Sequence, residues 1–327
     1  FWFLIVVFNL KGWYMSLNKK LGDDFIWSLK YRPKEINDVV LPDKIKDNFN
    51  NMLSSKKIPN LLLYGNAGVG KTTIATILAD KLGCDVLYVN GSIETSIDVL
   101  RGKISQFVTT VSFDGQKKLV IIDESDRFSA QTMDATKSFL EQYSKNTSFI
   151  FITNNIHKII EPLKSRLQTI DFNFNKNELS EIKKQFAKIT LDILDGEGVT
   201  YNKKILAGII NNYFPDMRKT LNELQKNHLR LNDPSLLDEC NVDLELYYKL
   251  IKDRDFNGLQ NYCAMVVDCQ SFFSSIYDNL KKYIEVKDIP AVIKLTSDYC
   301  YKSNFIKDQR ITLMTYSCEI MNNIKVK

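Results

Sequence analysis

Histidine and cysteine are scarce in this sequence of 327 residues. There are two histidines, His157 and His228, and six cysteines, at 84, 240, 263, 269, 300 and 318, none of them paired as C-x-x-C. That scarcity argues against a zinc site or a disulfide framework and fits reduced core cysteines in a cytosolic protein. Long apolar runs are missing too. The first ten residues, F-W-F-L-I-V-V-F-N-L, are too few to cross a bilayer, and no basic segment precedes them as a secretory signal requires. Met15 opens a normal polar stretch, S-L-N-K-K. Residues 1–14 are therefore expected to be upstream sequence outside the fold; the alternative is a membrane or partner anchor. Repeats and low-complexity tracts are absent. Charge of one sign is not in large excess, since 44 basic and 39 acidic residues leave a net charge of +5, so any nucleic-acid surface has to be a local patch. The remainder is ordinary globular composition, 44% hydrophobic and 25% charged, at a length that calls for two or three domains.

The densest signal runs from Asn60 to Thr73, N-L-L-L-Y-G-N-A-G-V-G-K-T-T. An apolar strand of Leu61, Leu62 and Leu63 empties into a loop of the form G-x-x-x-x-G-K-T. Backbone N–H groups wrap a phosphate only where no Cβ intervenes and where left-handed backbone angles cost little, which is the work of Gly65, Gly68 and Gly70. Asn66, Ala67 and Val69 complete the loop. Lys71 then reaches the β/γ-phosphates of a nucleotide, and Thr72 offers its hydroxyl to Mg²⁺. From Thr73 through Ile74, Ile77 and Leu78 to Lys81 the spacing is helical and stops at Gly83, so a helix N-terminus points at the anion.

The rest of the chain supplies the other parts of an α/β site. Ahead of the loop, Pro33 fixes its own φ and pushes Arg32 into extended geometry, a stiff connector able to lie across a nucleotide base. A helix is expected over Asp43–Ser54, then a second strand over Val86–Val89, closed by Asn90-Gly91-Ser92. A helix from about Ser96 to Thr110 carries an apolar stripe that leaves Arg101 and Lys103 off it, facing solvent or phosphate. After a turn at Asp114-Gly115, Leu119-Val-Ile-Ile-Asp123-Glu124 reads as a central parallel strand whose C-terminal tip faces a ligand. Asp123 is expected to hold Mg²⁺ through its water shell, and Glu124 to polarise an attacking water. A helix over 129–144 has Ser129 as its N-cap. The strand Phe149–Ile152 ends in Thr153-Asn154-Asn155, where Asn154 is either a turn former or a donor to a γ-phosphate or water. A last strand is expected near Leu167–Phe172. Five strands alternating with helices predict a parallel sheet covered on both faces. Beyond Asn173 only helices are expected: Asn177–Leu194, Asn202–Tyr213, Asp216–Leu229 and a helical region from Asp243 onward, with Asn232–Asn241 as a linker.

Taken together these pieces resemble the AAA+ ATPases, and within them the clamp-loader subunits of the replication factor C type. The likeness rests on K-Y-R-P at 30–33, G-N-A-G-V-G-K-T at 65–72, V-N-G-S at 89–92, D-E-S-D at 123–126, T-N-N at 153–155, P-L-K-S-R at 162–166 and D-M-R-K-T-L-N-E-L-Q at 216–225. V-L-R-G at 99–102, S-F-D-G at 112–115 and F-P-D-M-R-K-T at 214–220 are similar in particular to the large clamp-loader subunits of T-even-type bacteriophages. The resemblance implies an AAA+ parallel five-stranded sheet flanked by helices over 15–173, a small helical lid over 174–235 and an all-α collar over 236–327. It implies ATP and Mg²⁺ as cofactors, with Tyr31, Arg32 and Pro33 lining the adenine pocket and Thr73 following the phosphate loop. Asn154 becomes a first sensor, Arg218 a second sensor on the lid, and Arg166 an arginine finger for the neighbouring subunit's site. Arg101 and Lys103 are implied to grip DNA phosphates. It implies also that Phe128, Ala130 and Met133 form the edge that docks on the clamp and that Lys137 lies near a subunit interface. Two departures are visible: Ser125 stands where alanine is usual, and Leu167 where cysteine is usual.

The function implied is that of a DNA-dependent ATPase subunit that opens a sliding clamp and loads it on primer-template DNA, hydrolysis releasing both. Its partners are the clamp, a small clamp-loader subunit and copies of itself, a homo-tetramer within a hetero-pentamer, in the host-cell cytoplasm and without a membrane. The alternatives are another AAA+ replication ATPase, such as a helicase loader or branch-migration motor, or a clamp-loader subunit that does not hydrolyse ATP. The first usually carries an added DNA-reading domain, and no helix-turn-helix or basic tail is evident here. The second lacks one or more site residues, whereas Lys71, Thr72, Asp123 and Glu124 are all present.

Overall fold

A computed structural model describes residues 25–93, 97–110, 117–144, 146–233, 236, 243–266, 269–303 and 305–326. The expectation for residues 1–14, the turn at Asp114-Gly115 and most of the linker 232–241 lie outside them. Five strands, β1 (Leu61–Tyr64), β2 (Asp85–Asn90), β3 (Lys118–Asp123), β4 (Thr147–Thr153) and β5 (Gln168–Asp171), form one sheet in the order β2-β3-β4-β1-β5. Every pairing is parallel, as the sequence predicts. Helices α1 (Trp27–Lys30), α2 (Asp43–Ser55), α3 (Lys71–Lys81), α4 (Ile97–Thr109), α5 (Ala130–Tyr143) and α6 (Glu161–Lys164) precede or intervene. They are followed by α7 (Lys176–Gly196), α8 (Lys203–Tyr213) and α9 (Met217–Lys226). The chain continues as α10 (Leu244–Asp253), α11 (Phe256–Met265), α12 (Cys269–Tyr283), α13 (Ile289–Ser303) and α14 (Gln309–Asn323).

The two-residue alternation of the strands sorts their side chains onto two faces. Leu61, Leu63, Leu119, Ile121, Ile150 and Ile152 pack with Ile74, Ala75 and Leu78 of α3 and with Phe49 and Met52 of α2. Leu62, Val120, Ile122, Phe149 and Phe151 pack on the other side with Ile104 of α4 and with Phe139 and Leu140 of α5. Strands buried on both faces lose the polar alternation of a half-exposed sheet, which is why they read as plain apolar runs. Because all five run the same way, their C-terminal tips share one edge, the position where open α/β sheets bind ligands.

The chain divides into two compact units. One takes the chain up to Gly198 together with Tyr213–Lys226, and so holds the sheet, α7 and α9; the other takes Val199–Asn212 and Asn227–Lys327. In the first, the buried Trp27 of α1 donates its backbone N–H to Oε1 of Gln225 on α9 at 3.0 Å, and Gln225 Nε2 donates to the Phe25 carbonyl at 2.6 Å. The second unit is helical, with a core rich in tyrosine. Tyr247 and Phe272 meet edge to face with centroids 5.1 Å apart, as do Phe273 and Tyr316. Two buried hydroxyl pairs tie that core together, Tyr247 with Ser317 at 3.1 Å and Tyr316 with Thr296 at 2.8 Å.

Candidate functional site

The loop between β1 and α3 has the backbone its glycines predict. Gly65, Gly68 and Gly70 have φ of 146°, 71° and 97°. A Cβ on Gly65 would lie 2.8 Å from the Phe172 backbone, and one on Gly68 would lie 1.8 Å from Asp216 Oδ1. Helix α3 begins at Lys71 behind Gly70, which offers no side-chain cap. Its first N–H groups are thus left for an anion. By contrast, Ser129 caps α5, and Asn175 and Glu178 form a reciprocal capping box at the start of α7.

Lys71 is 6% exposed. Its Nζ donates to the carbonyls of Gly65 at 2.7 Å and Asn66 at 2.6 Å and to Asn154 Oδ1 at 2.9 Å. Burial pulls its pKa down to about 8, against the attraction of Asp123 and Asp126. Arg32 donates from Nε to Thr73 Oγ1 at 3.2 Å and from Nη2 to Thr76 Oγ1 at 3.3 Å, both on α3. Its pKa is lowered by burial and then by the Arg218 guanidinium. Arg218 of α9 therefore repels both Arg32 of the connector and Lys71 of the loop around one cleft, an arrangement that an anion relieves.

On the other side of the cleft, Asp123 Oδ2 accepts from Thr72 Oγ1 at 2.9 Å and from the Tyr88 hydroxyl at 2.6 Å, while Oδ1 accepts from the Glu124 N–H at 2.9 Å. A hydroxyl and a carboxylate side by side at the phosphate loop are hard oxygen donors that suit Mg²⁺, which takes one or two protein ligands and completes its shell with water and phosphate. Among the described residues no group of three or more His, Cys, Asp or Glu is gathered as a metal site, so a divalent ion here would depend on the nucleotide. Glu124 has left-handed backbone angles, φ 52° and ψ 40°. Ser92 Oγ donates to its Oε2. Burial and the bond to Asp123 push the Tyr88 pKa up, so the phenol stays a donor. The Asn154 N–H faces Asp126 Oδ1, which also accepts from Thr153 Oγ1 at 3.0 Å.

These residues surround a cleft of about 1190 Å³ within the first unit. Tyr31, Arg32, Pro33, Ala67 to Thr73, Asp123, Glu124, Asn154 and Arg218 all line it, together with Phe186 and Ile189 of α7. Tyr31 and Lys30 both donate to Glu197 Oε1 at 2.6 Å, tying the connector to the end of α7. Gly65 and Asn66 contribute through their carbonyls to Lys71. Arg101, Lys103 and Arg166 lie away from the cleft. Arg101 and Lys103 are exposed on α4. Arg166 bonds from Nε to Glu141 Oε1 at 2.8 Å and from Nη1 to the Pro162 carbonyl at 2.6 Å.

One expectation is corrected. Phe128 and Met133 are 6% and 2% exposed and belong to the core beneath α5, so they offer no docking edge. They occupy the N′ and N4 positions around the Ser129 cap, where apolar residues pack over the start of a helix. Of that trio only Ala130 is exposed. The usual-alanine position, Ser125, is 1% exposed and donates to the Ile152 carbonyl at 2.9 Å, so its hydroxyl is satisfied. Tyr88, Ser92, Asp126, Glu141, Glu197 and Asp216 were not singled out in the sequence. Ser92, Asp126 and Asp216 stand inside the motifs V-N-G-S, D-E-S-D and D-M-R-K, and Tyr88, an aromatic two residues before the strand-ending Asn90, shares that residue's face.

Residues 61–175 match the family model described as "ATPase family associated with various cellular activities (AAA)". The chain is 38% identical over 214 residues to the sliding-clamp-loader large subunit of Enterobacteria phage T4, covering 64% of this chain and 66% of that protein. To the sliding-clamp-loader large subunit of Escherichia phage RB69 it is 33% identical, covering 65% and 66%. To a replication factor C small subunit of Saccharolobus solfataricus it is 35% identical, covering 62% of each. The chain thus spans just under two thirds of the length of these relatives. Among solved structures, the Thermotoga maritima RuvB Holliday junction branch migration motor matches with a TM-score of 0.50 at 19% identity, covering 76% of this chain and 80% of that one. At that identity the likeness is one of fold.

Proposed function

The chain carries an ATPase domain of the AAA family, and from that premise we propose that it is an ATP-hydrolysing subunit of a sliding-clamp loader. The observation that carries the proposal is the set Lys71, Thr72–Asp123, Glu124 and Asn154 gathered at the tips of parallel strands, in a chain whose relatives are named clamp-loader and replication factor C subunits. ATP occupies the cleft with its base against Tyr31, Arg32 and Pro33 and its phosphates in the loop from Gly65 to Thr72. Thr72 and Asp123 would hold Mg²⁺, which supplies charge neutralisation at the β- and γ-phosphate oxygens when bound. Lys71 exchanges its carbonyl partners for phosphate oxygens. Glu124 accepts a hydrogen bond from the attacking water once Ser92 releases it, and Asn154 orients that water. Arg218 reports the γ-phosphate to α9.

Arg166 does not line the cleft of its own chain and serves the site of an adjoining copy, where a cation delivered to the transferring phosphoryl is worth about 10³ to 10⁵ in rate. The assembly is read as copies of this chain, a small subunit, the clamp and primer-template DNA, with Arg101 and Lys103 on strand phosphates. The three-part reading of nucleotide-binding domain, lid over 174–235 and collar over 236–327 belongs to this proposal. Among the described residues no helix is long and apolar enough to cross a membrane, and the host-cell cytoplasm is the proposed location.

Steady-state ATP hydrolysis with clamp and primed DNA added is the test: stimulation is expected, and no response to either defeats the reading. Arg166→Ala should leave ATP binding nearly intact and remove most turnover of the complex, by about 10³-fold. A large loss of binding with normal turnover would refute the role in trans.

A further inference from the structure

Asp123 is held by more than the phosphate-loop threonine. Strands β2 and β3 pair in parallel with Tyr88 opposite Ile121 and Asn90 opposite Asp123. Residues two apart on a strand share a face, so Tyr88 and Asp123 project on the same side of the sheet as diagonal neighbours, a separation an aromatic side chain can span. Tyr88 spans it with its hydroxyl, which donates to Asp123 Oδ2 at 2.6 Å. The same oxygen takes Thr72 Oγ1 from α3, and the other takes the backbone N–H of Glu124.

Packing does not explain the tyrosine. β2 is an edge strand, Tyr88 is 48% exposed, and it belongs to none of the buried apolar clusters. Its hydroxyl is engaged and its ring lines the cleft. Phenylalanine would keep the ring and remove only the donor.

We propose that Tyr88 is a positioning residue for the divalent cation that accompanies the nucleotide: its hydroxyl fixes the plane of the Asp123 carboxylate, so that the group is already oriented when the ion and its water shell arrive. Three donors, from α3, from β2 and from the turn after β3, leave that carboxylate no freedom to rotate. Without Tyr88, Oδ2 keeps Thr72 as its one donor and the plane is held less firmly. The inference rests on the reading of Thr72 and Asp123 as the residues that hold Mg²⁺.

The test is the binding of a fluorescent ADP analogue, which requires no turnover, to the full chain as wild type, Tyr88→Phe and Thr72→Ala. Each is titrated once in excess EDTA and once in excess Mg²⁺, and the quantity read is the tightening that Mg²⁺ adds. In Tyr88→Phe that tightening should shrink about tenfold, the lower end of what loss of an outer hydrogen-bonding partner costs a metal site, with affinity in EDTA unchanged within about twofold. An undiminished Mg²⁺ effect in Tyr88→Phe, beside a wild-type effect that Thr72→Ala loses, overturns the proposal and leaves the metal-site reading standing. Equal losses in EDTA and in Mg²⁺ also overturn it, because the hydroxyl would then be shaping the nucleotide pocket. A wild-type affinity indifferent to Mg²⁺ removes the metal-site reading and the proposal together.

Discussion

At Lys71 a nearly buried cation donates to two backbone carbonyls and one amide, with no carboxylate among its hydrogen-bond partners. Its charge is better served by the anionic oxygens of a phosphate than by those neutral acceptors. The glycines make room for that exchange, and Gly68 shows how tightly. Gly68→Ala would set a Cβ against Asp216 at a φ of 71°, whereas Gly83, at φ 58°, has nothing within 4 Å of its added Cβ. Both substitutions should cost about 1 kcal/mol in urea unfolding for the left-handed backbone alone. Only Gly68→Ala is expected also to weaken nucleotide binding, by about tenfold or more, because the crowded group belongs to the phosphate cradle. Glu124→Gln keeps the shape of the side chain and removes the proposed base. Equilibrium binding should be retained while single-turnover hydrolysis falls by about 10² to 10⁴.

Among the elements, α5 and α6 hold the proposed finger in an ion pair. Arg166 and Glu141 have side chains 37% and 50% exposed, and a pair so open to solvent is worth about 1 kcal/mol or less. Glu141→Ala should therefore lower stability in urea by no more than that and leave nucleotide affinity unchanged, so releasing the guanidinium to a neighbour is inexpensive. Helix α9 is governed by its cap. Asp216 Oδ1 accepts from the Lys219 N–H at 2.9 Å. Asp216→Ala should destabilise by about 1 kcal/mol while Asp216→Asn, an equally good cap, should cost little; thermal melting compares the two. The elements themselves were largely legible, since Leu61–Leu63, Leu119–Ile122 and Phe149–Ile152 are apolar runs of strand length with polar groups at their tips. Strand order was not, because the adjacency of β2 and β3 is decided by tertiary packing. With it went the meeting of Tyr88 and Asp123, and of Ser92 and Glu124. The resemblance implies a docking edge at Phe128 and Met133, but these residues are buried because they close the start of α5.

Over the whole molecule, alkali should act through the buried tyrosines, which are most numerous in the second unit. Burial raises the pKa of Tyr247, Tyr248 and Tyr262 well above the ordinary phenol value and takes Tyr316 to about 12. The unfolded chain gives up these protons near pH 10 while the folded one keeps them, so the folded state binds more protons and loses stability as pH rises. Each such tyrosine forfeits up to about 1.4 kcal/mol per pH unit above 10 until its folded pKa is reached. The core of the second unit should accordingly loosen in alkali, seen as a loss of helical circular dichroism that coincides with tyrosinate absorbance. Trp27 offers a readout for the other unit. It is the one tryptophan among the described residues, it is buried, and its backbone is fastened to Gln225 on the helix that carries Arg218. Were the γ-phosphate to draw Arg218 inward, as proposed above, that fastening would pass the movement to the indole, and Trp27 fluorescence would differ between the triphosphate and the diphosphate complex.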